Sequence, residues 1–105
     1  MVRMCTVNVN SLISKMHYLS SLASQESLHV ISITETWLTK DCPSSFVELP
    51  DYNFYRGDVH GDVKKHGTGL YVHKKFKGVQ LEIDLPNLAA VHIAELNLHV
   101  MSVYT

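Results

Sequence analysis

The hydrophobic pattern of the first 35 residues predicts a strand, a helix and a second strand. Residues 2–9 are rich in β-branched and apolar side chains at odd and even positions, which is typical of a central strand covered on both faces. Apolar positions recur at three- and four-residue steps from 12 to 25, so a helix is predicted there with Ser11 as its cap. Residues 28–34 form a second β-rich run that ends at Glu35. This order predicts a right-handed crossover between parallel strands.

The remainder of the chain predicts short strands joined by loops. Residues 38–51 contain two prolines and two serines, which indicate a surface loop with at most one helical turn. Residues 57–69 hold four glycines without periodicity and indicate a long loop. The further candidate strands are residues 52–56, 70–73, 79–83, 90–96 and 99–104, of which the last two should form a hairpin. The predicted fold class is α/β, a strand-helix-strand segment followed by a mostly antiparallel, strand-rich segment.

Composition and charge narrow the classes of function. A chain of 105 residues with 46% hydrophobic and 18% charged residues is typical of one globular domain. No apolar run approaches the ~18 residues that a bilayer span needs, so we expect no membrane segment. The formal charge of -1 provides no overall basic field, so any contact with a nucleic acid phosphate must be local. Cys5 and Cys42 lack a disulfide or zinc spacing, and no secretory signal is visible at the N-terminus, so an intracellular protein is expected.

Polar side chains follow the two predicted parallel strands. Asn8 and Asn10 end the first strand, and a period of two residues places both side chains on one side of the chain. Glu35 ends the second strand, and the carboxyl ends of parallel strands meet at one edge of a sheet. A carboxylate beside carboxamides suits Mg²⁺, which prefers oxygen ligands. The alternative is that the asparagines bond turn backbone and that Glu35 faces solvent.

Four runs of residues resemble, in order and spacing, the exonuclease-endonuclease-phosphatase superfamily. The similarity is greatest to the apurinic-like endonuclease domain of non-LTR retrotransposons, in which a Glu-Thr-Trp-Leu run is typical. The runs are Asn-Val-Asn-Ser-Leu from Asn8, Ile-Thr-Glu-Thr-Trp-Leu from Ile33, Gly-Thr-Gly-Leu-Tyr-Val from Gly67 and Val-Tyr from Val103. The resemblance covers nearly the whole chain. It implies a two-sheet α/β sandwich with the deoxyribonuclease-I-like fold.

The resemblance implies roles for individual residues of this chain. Glu35 matches the family's metal-ligating glutamate, and Asn8 matches an asparagine of the metal and phosphate site. Asn10 falls at a polar position behind that site, and Tyr104 matches the tyrosine that positions the scissile phosphate. The cofactor implied for the complete domain is Mg²⁺ or Mn²⁺, and its partner is DNA. Trp37 could contact a base or ribose, although packing is the more common role of a lone tryptophan.

The family motifs that lie downstream of the tyrosine do not occur in these 105 residues. A Gly-Asp-x-Asn motif and an Asp-His pair complete the family's catalytic site, whereas Asp58 and Asp62 here follow glycines without the asparagine and lie upstream of Tyr104. We therefore expect residues 1–105 to be one partial domain, the N-terminal half, and to be inactive alone. The alternatives are a non-catalytic remnant of a decayed element and a fragment of a phosphatase of the same superfamily. A nuclear location is expected if the chain belongs to an active element.

The predicted layers leave apolar surface uncovered. Only one clear helix is available to cover strands that are apolar on both faces. The exposed face should belong to the first strand or to the strands between residues 90 and 104. Self-association through this sheet surface is therefore expected.

Overall fold

A computed structural model describes residues 2–58, 66–83 and 88–103. These residues contain two sheets, one α-helix and three 3₁₀ turns. The strands and the α-helix are β1 Met4–Asn8, α1 Met16–Glu26, β2 Val30–Thr34, β3 Tyr52–Gly57, β4 Thr68–His73, β5 Gly78–Gln80, β6 Leu88–Ile93 and β7 Leu98–Val103. The 3₁₀ turns are Ile13–Lys15, Ser44–Val47 and Ala94–Leu96. The predicted α/β class and the predicted order of elements are confirmed.

The two sheets have different strand pairings. The first sheet has the order β1-β2-β4-β3, in which β1 and β2 are parallel and the other pairs are antiparallel. Its parallel register places Met4 opposite Val30 and Asn8 opposite Thr34. The second sheet, β5-β6-β7, is antiparallel throughout. The predicted crossover and the predicted hairpin of the last two strands are therefore both present.

The core is divided between the two faces of the first sheet. One face packs under α1 and the loop that follows β2, where Leu19, Ile31 and Tyr71 belong to one buried cluster. The opposite face packs against the second sheet, where Val30 and Leu70 meet residues of β6 and β7. Alternate residues of β2 thus enter different clusters, because successive side chains of a strand point to opposite faces. The molecule is layered as helix, sheet and sheet.

The prediction that the first strand is central and covered on both faces is wrong. In the part of the chain that the structure describes, β1 is an edge strand. Cys5 and Val7 pack against the cluster below α1, whereas Met4 is 49% exposed. Among the described residues, the second sheet ends at β7, which packs over β2 rather than over β1. Within that part of the chain, the face of β1 that carries Met4, Thr6 and Asn8 is exposed.

The helix begins later than predicted, and Ser11 does not cap it. A 3₁₀ turn over Ile13–Lys15 precedes α1, and no side chain caps either element. Ser11 instead has a φ of 89° and donates its backbone N–H to the carbonyl of Glu35. Ser11 therefore links the loop after β1 to the loop after β2 through its backbone. At the other end, Ser27 in the left-handed region closes the helix.

Several other element boundaries differ from the prediction. The strand predicted from residue 70 begins at Thr68, and the strand predicted from residue 79 covers only Gly78–Gln80. The predicted loop of residues 38–51 contains one helical turn, as expected. Tyr104 lies outside the described residues. Among the described helices, none is long and apolar enough to cross a membrane.

Three hydroxyl groups, those of buried Thr68 and Ser102 and of partly buried Ser32, join the two sheets near the end of β2. Ser32 Oγ donates to Ser102 Oγ at 2.8 Å, and Thr68 Oγ1 donates to the carbonyl of Ile33 at 2.7 Å. Ser102 Oγ is also hydrogen bonded to Thr68 Oγ1 and lies 3.3 Å from the same carbonyl. Buried hydroxyls are costly without partners, and each of these three has one. The cluster therefore fixes β7 against β2 and β4.

Replacing Thr68 with valine should destabilise the fold. This nearly isosteric change removes one hydrogen-bond partner from Ser102 and one from the Ile33 carbonyl. We expect the free energy of unfolding to fall by about 1–3 kcal/mol. Urea denaturation of Thr68→Val measures the change, with Ser45→Ala at an exposed position as a control that should leave the free energy of unfolding nearly unaltered. An unchanged unfolding midpoint in Thr68→Val would contradict a structural role for the cluster.

The uncovered strands should make the isolated chain self-associate, as the sequence predicts. Met101 and Val103 on the outer face of β7 are 57% and 48% exposed. Burial of such apolar surface stabilises an oligomer. Light scattering coupled to size-exclusion chromatography should detect oligomers, and Met101→Lys with Val103→Lys should shift the population toward monomer. A wild-type chain that stays monomeric at high concentration would refute this expectation.

Candidate functional site

Asn8 and Glu35 lie together at the carboxyl edge of the first sheet. Asn8 is the last residue of β1, and Glu35 directly follows β2. The Asn8 amide Nδ2 donates a hydrogen bond of 2.9 Å to Oε2 of Glu35. Parallel pairing explains the contact, since it carries both strand ends to one edge. The predicted juxtaposition of these two side chains is confirmed, whereas their functional roles remain predictions.

Backbone hydrogen bonds continue between the two loops beyond the ends of the strands. The N–H of Val9 donates to the carbonyl of Thr34, and the N–H of Ser11 donates to the carbonyl of Glu35, both at 3.0 Å. Leu12 repeats the pattern with the carbonyl of Thr36. The Glu35 backbone is therefore held by the loop that also carries Asn8 and Asn10. Such support favours a fixed position for the carboxylate.

Backbone conformations with positive φ are concentrated in these loops. Seven non-glycine residues of the described chain have positive φ, and four of them are here. Asn10 and Ser11 have φ of 48° and 89°, and Glu35 and Trp37 have φ of 59° and 60°. Each costs on the order of 1–3 kcal/mol, and such conformations often cluster at functional sites. This concentration favours the functional interpretation over a simple turn.

A third segment, which sequence reasoning did not assign to the site, supports the loop after β2. The N–H of Thr36 donates to the carbonyl of Gly67, and the N–H of Trp37 donates to the carbonyl of His66 at 2.8 Å. Gly67 has a φ of 96°, and a Cβ there would collide with Oγ1 of buried Thr36. Glycine is required at this position by both space and conformation. The Gly-Thr-Gly run was the available sequence signal.

The other predicted site residues are Asn10, Trp37 and Tyr104, and the structure supports their place in the site less directly. The extended strand ends at Asn8, so the period-two argument that put Asn10 on the same side as Asn8 does not hold. Asn10 is an exposed turn residue, and its side chain makes no hydrogen bond with the described residues. Trp37 is partly buried, two residues beyond Glu35. The position of Tyr104 relative to the site lies outside the described residues.

The oxygen atoms of the pair fit a hydrated divalent cation. The hydrogen bond uses the Asn8 nitrogen, so Asn8 Oδ1 remains available as an oxygen ligand beside the Glu35 carboxylate. Mg²⁺ typically takes one or two protein carboxylates and keeps several waters. Residues 2–58, 66–83 and 88–103 contain no group of three or more His, Cys, Asp or Glu side chains that could hold a metal. The Glu35 carboxylate and the Asn8 amide supply oxygen donors, the ligand type that suits Mg²⁺.

A cleft opens beside Asn8, between β1 and the start of the helical segment. Its volume is about 280 Å³, and its walls include Val7, Lys15 and Tyr18. Lys15 places a positive charge along a cleft that is otherwise mostly apolar. Sequence reasoning did not single out Lys15, because its distance from Asn8 depends on the 3₁₀ turn before α1.

Arg56 holds the loop that follows Trp37 against β3. Its guanidinium donates to the carbonyls of Thr39 and Cys42 at 2.9 and 2.6 Å, and it forms an ion pair with Asp58. Both charged side chains are mostly buried, and their several hydrogen bonds offset the cost of burial. Asp58, which the sequence offered as a false Gly-Asp motif, therefore has a structural partner.

Comparison with known proteins identifies the fold. No protein-family model matches the chain, and no curated protein sequence matches it. Among solved structures, an AP endonuclease from Archaeoglobus fulgidus is similar, with a TM-score of 0.74 and 18% sequence identity. The match covers 99% of this chain and 41% of the archaeal chain. At this identity the likeness concerns the fold. The chain therefore has part of the two-sheet α/β fold of deoxyribonuclease-I-like proteins.

Proposed function

We propose that Asn8 and Glu35 form part of the catalytic site of a metal-dependent DNA endonuclease of the retrotransposon type. The observation that carries the proposal is the 2.9 Å hydrogen bond between their side chains at the carboxyl edge of the sheet. Open α/β sheets place ligands at this edge. The endonuclease fold of the archaeal neighbour supports the same class of function. The Glu-Thr-Trp-Leu run around Glu35 supports the retrotransposon type.

Each residue has a specific task in this proposal. Glu35 holds Mg²⁺ or Mn²⁺ through its carboxylate, and Asn8 orients that carboxylate through the amide hydrogen bond. A cation held there would supply Lewis-acid chemistry, namely polarisation of a phosphoryl oxygen and stabilisation of charge on the leaving oxygen. Asn10 supports the site from the adjoining turn. Tyr104 donates a hydrogen bond to the scissile phosphate, as the family resemblance implies.

DNA binding in this proposal depends on local contacts. The chain has a formal charge of -1, which gives no long-range attraction for a polyanion. Lys15 beside Asn8 supplies a positive charge near the proposed phosphate position. Trp37 is two residues after Glu35 and is proposed to contact a base or ribose of the same DNA. These groups favour contact with one phosphate and its neighbouring nucleotide over a long DNA footprint.

The 105 residues are proposed to be inactive by themselves. The archaeal neighbour is longer, and this chain spans 41% of its length. By resemblance, the water-orienting Asp and Asn and the phosphate-contacting histidine come from motifs outside these residues. Loss of one member of a catalytic unit often costs nearly as much as loss of several. In an active element, the complete domain would act in the nucleus.

Divalent cation binding should depend on the side-chain pair. We expect Glu35→Gln to abolish measurable Mg²⁺ or Mn²⁺ binding, because the carboxylate charge is lost. Asn8→Ala should weaken the affinity by about 10-fold through loss of the orienting hydrogen bond. Calorimetric titration with Mn²⁺ measures both effects. Glu48→Gln, which removes an exposed carboxylate from the loop after β2, is the matched control; equal losses in the control and in Glu35→Gln would contradict the assignment.

Hydrolysis should require more than this chain. We expect the purified 105 residues to show no Mg²⁺-dependent nicking of supercoiled or abasic DNA above the level of Glu35→Gln. An agarose gel assay of relaxed circles provides the measurement. Robust nicking that disappears in Glu35→Gln would show that the site is complete within these residues, and it would disprove the proposed dependence on further motifs.

A further inference from the structure

A second cleft lies at the opposite end of the first sheet from Asn8 and Glu35. His29 directly precedes β2 and His73 ends β4, and the N–H of His73 donates to the His29 carbonyl at 2.8 Å. Both histidines line a cleft of about 410 Å³, together with Lys75. Serine residues at the end of α1 form another wall. Small-molecule sites have volumes of this order.

Backbone hydrogen bonds fix which imidazole nitrogen each histidine offers to a ligand. The N–H of Arg3 donates to Nδ1 of His29 at 2.8 Å, and the N–H of Lys75 donates to Nδ1 of His73 at 3.1 Å. In a neutral imidazole one nitrogen accepts and the other carries the proton. Both rings therefore carry their proton on Nε2. The pair offers two hydrogen-bond donors, and ligation of a metal through Nε2 would require breaking both backbone contacts.

The electrostatic environment of His29 is positive. Burial lowers the pKa of His29, and electrostatic interactions with Lys75, His73 and Arg3 lower it further. The acidic residue of the cleft is Asp51, which acts on Tyr52, where burial and then the Asp51 charge raise the phenol pKa. Tyr52 is paired with His73 across β3 and β4, so the Asp51 carboxylate shares the cleft with the two histidines. The two imidazole donors and the Lys75 ammonium outnumber this single carboxylate.

We propose that this cleft binds a small phosphate-bearing anion. The Nε2–H groups of His29 and His73 donate to the phosphate oxygens, and the Lys75 ammonium supplies the opposite charge. Serine hydroxyls on α1 provide further donors. A phosphate accepts several hydrogen bonds from different directions. The donors here also come from different directions, namely the residue before β2, the end of β4, and α1. The site is separate from the proposed endonuclease function and does not depend on it.

Nuclear magnetic resonance of the histidine side chains tests the proposal with inorganic phosphate as the probe. Saturable shifts of the His29 and His73 imidazole signals are expected, with sodium chloride of equal ionic strength as the reference. His29→Asn and His73→Asn are suitable variants because the asparagine oxygen takes the place of Nδ1 and keeps the backbone acceptor. Each lacks the Nε2 donor and should weaken binding by about 10-fold, the effect of one hydrogen bond to a charged group.

Control variants separate this site from general anion binding. Lys75 is exposed, so the Lys75→Gln variant should fold normally. It should weaken phosphate binding about as much as each histidine variant does. His99→Asn changes a histidine of the second sheet, stacked on His92, and should leave binding unchanged. A nucleoside monophosphate that binds more tightly than inorganic phosphate would identify a phosphomonoester ligand, whereas equal affinity would identify free phosphate. Shifts that match those in chloride, or equal weakening in His99→Asn and Lys75→Gln, would overturn the proposal.

Discussion

Parallel pairing of β1 with β2 is the constraint on which the candidate site depends. It places Asn8 opposite Thr34 and therefore brings the Asn8 side chain next to Glu35, 27 residues along the chain. The pairing then continues as loop-to-loop backbone hydrogen bonds through Leu12. Because three consecutive contacts follow the strand ends, the carboxylate is attached to a framework and not to a free loop. The same pairing directs the opposite ends of the strands, and hence His29, away from this site.

Packing and hydrogen bonds around the site offset the energetic cost of its strained backbone conformations. Residues such as Glu35 and Trp37 have left-handed backbone conformations that are unfavourable for side chains other than glycine. They persist because Thr36 between them is buried and its N–H is bonded to Gly67. Two residues before Glu35, at Ile33, the hydroxyl cluster with Thr68 joins β2 to both β4 and β7. Tight packing between the sheets and strain at the loop are thus adjacent along the chain.

The sequence predicted the order of elements and the meeting of Asn8 with Glu35, because strand polarity and hydrophobic patterns act over short distances. It failed for β1, since β-branched and apolar residues at both parities of residues 2–9 show that a strand can be buried but do not show which neighbours cover it. It also failed for Ser11, a residue suited to a helix cap, because a tertiary contact with the Glu35 carbonyl took precedence. The role of Lys15 depends on a contact that no local pattern reports. For Gly67, the Gly-Thr-Gly run was a local signal, but it did not identify Thr36 as the partner.

We propose that Asn8 and Glu35 form a cation site held by the paired loops. Paramagnetic broadening by Mn²⁺ in the amide spectrum of the chain tests this site most directly, because broadening falls steeply with distance from the ion. We expect the strongest loss of signal at residues 9–11 and 35–37, and recovery of these signals in Glu35→Gln. Broadening centred on the exposed acidic residues Glu48 and Asp51, or broadening around Glu35 that persists in Glu35→Gln, would contradict it.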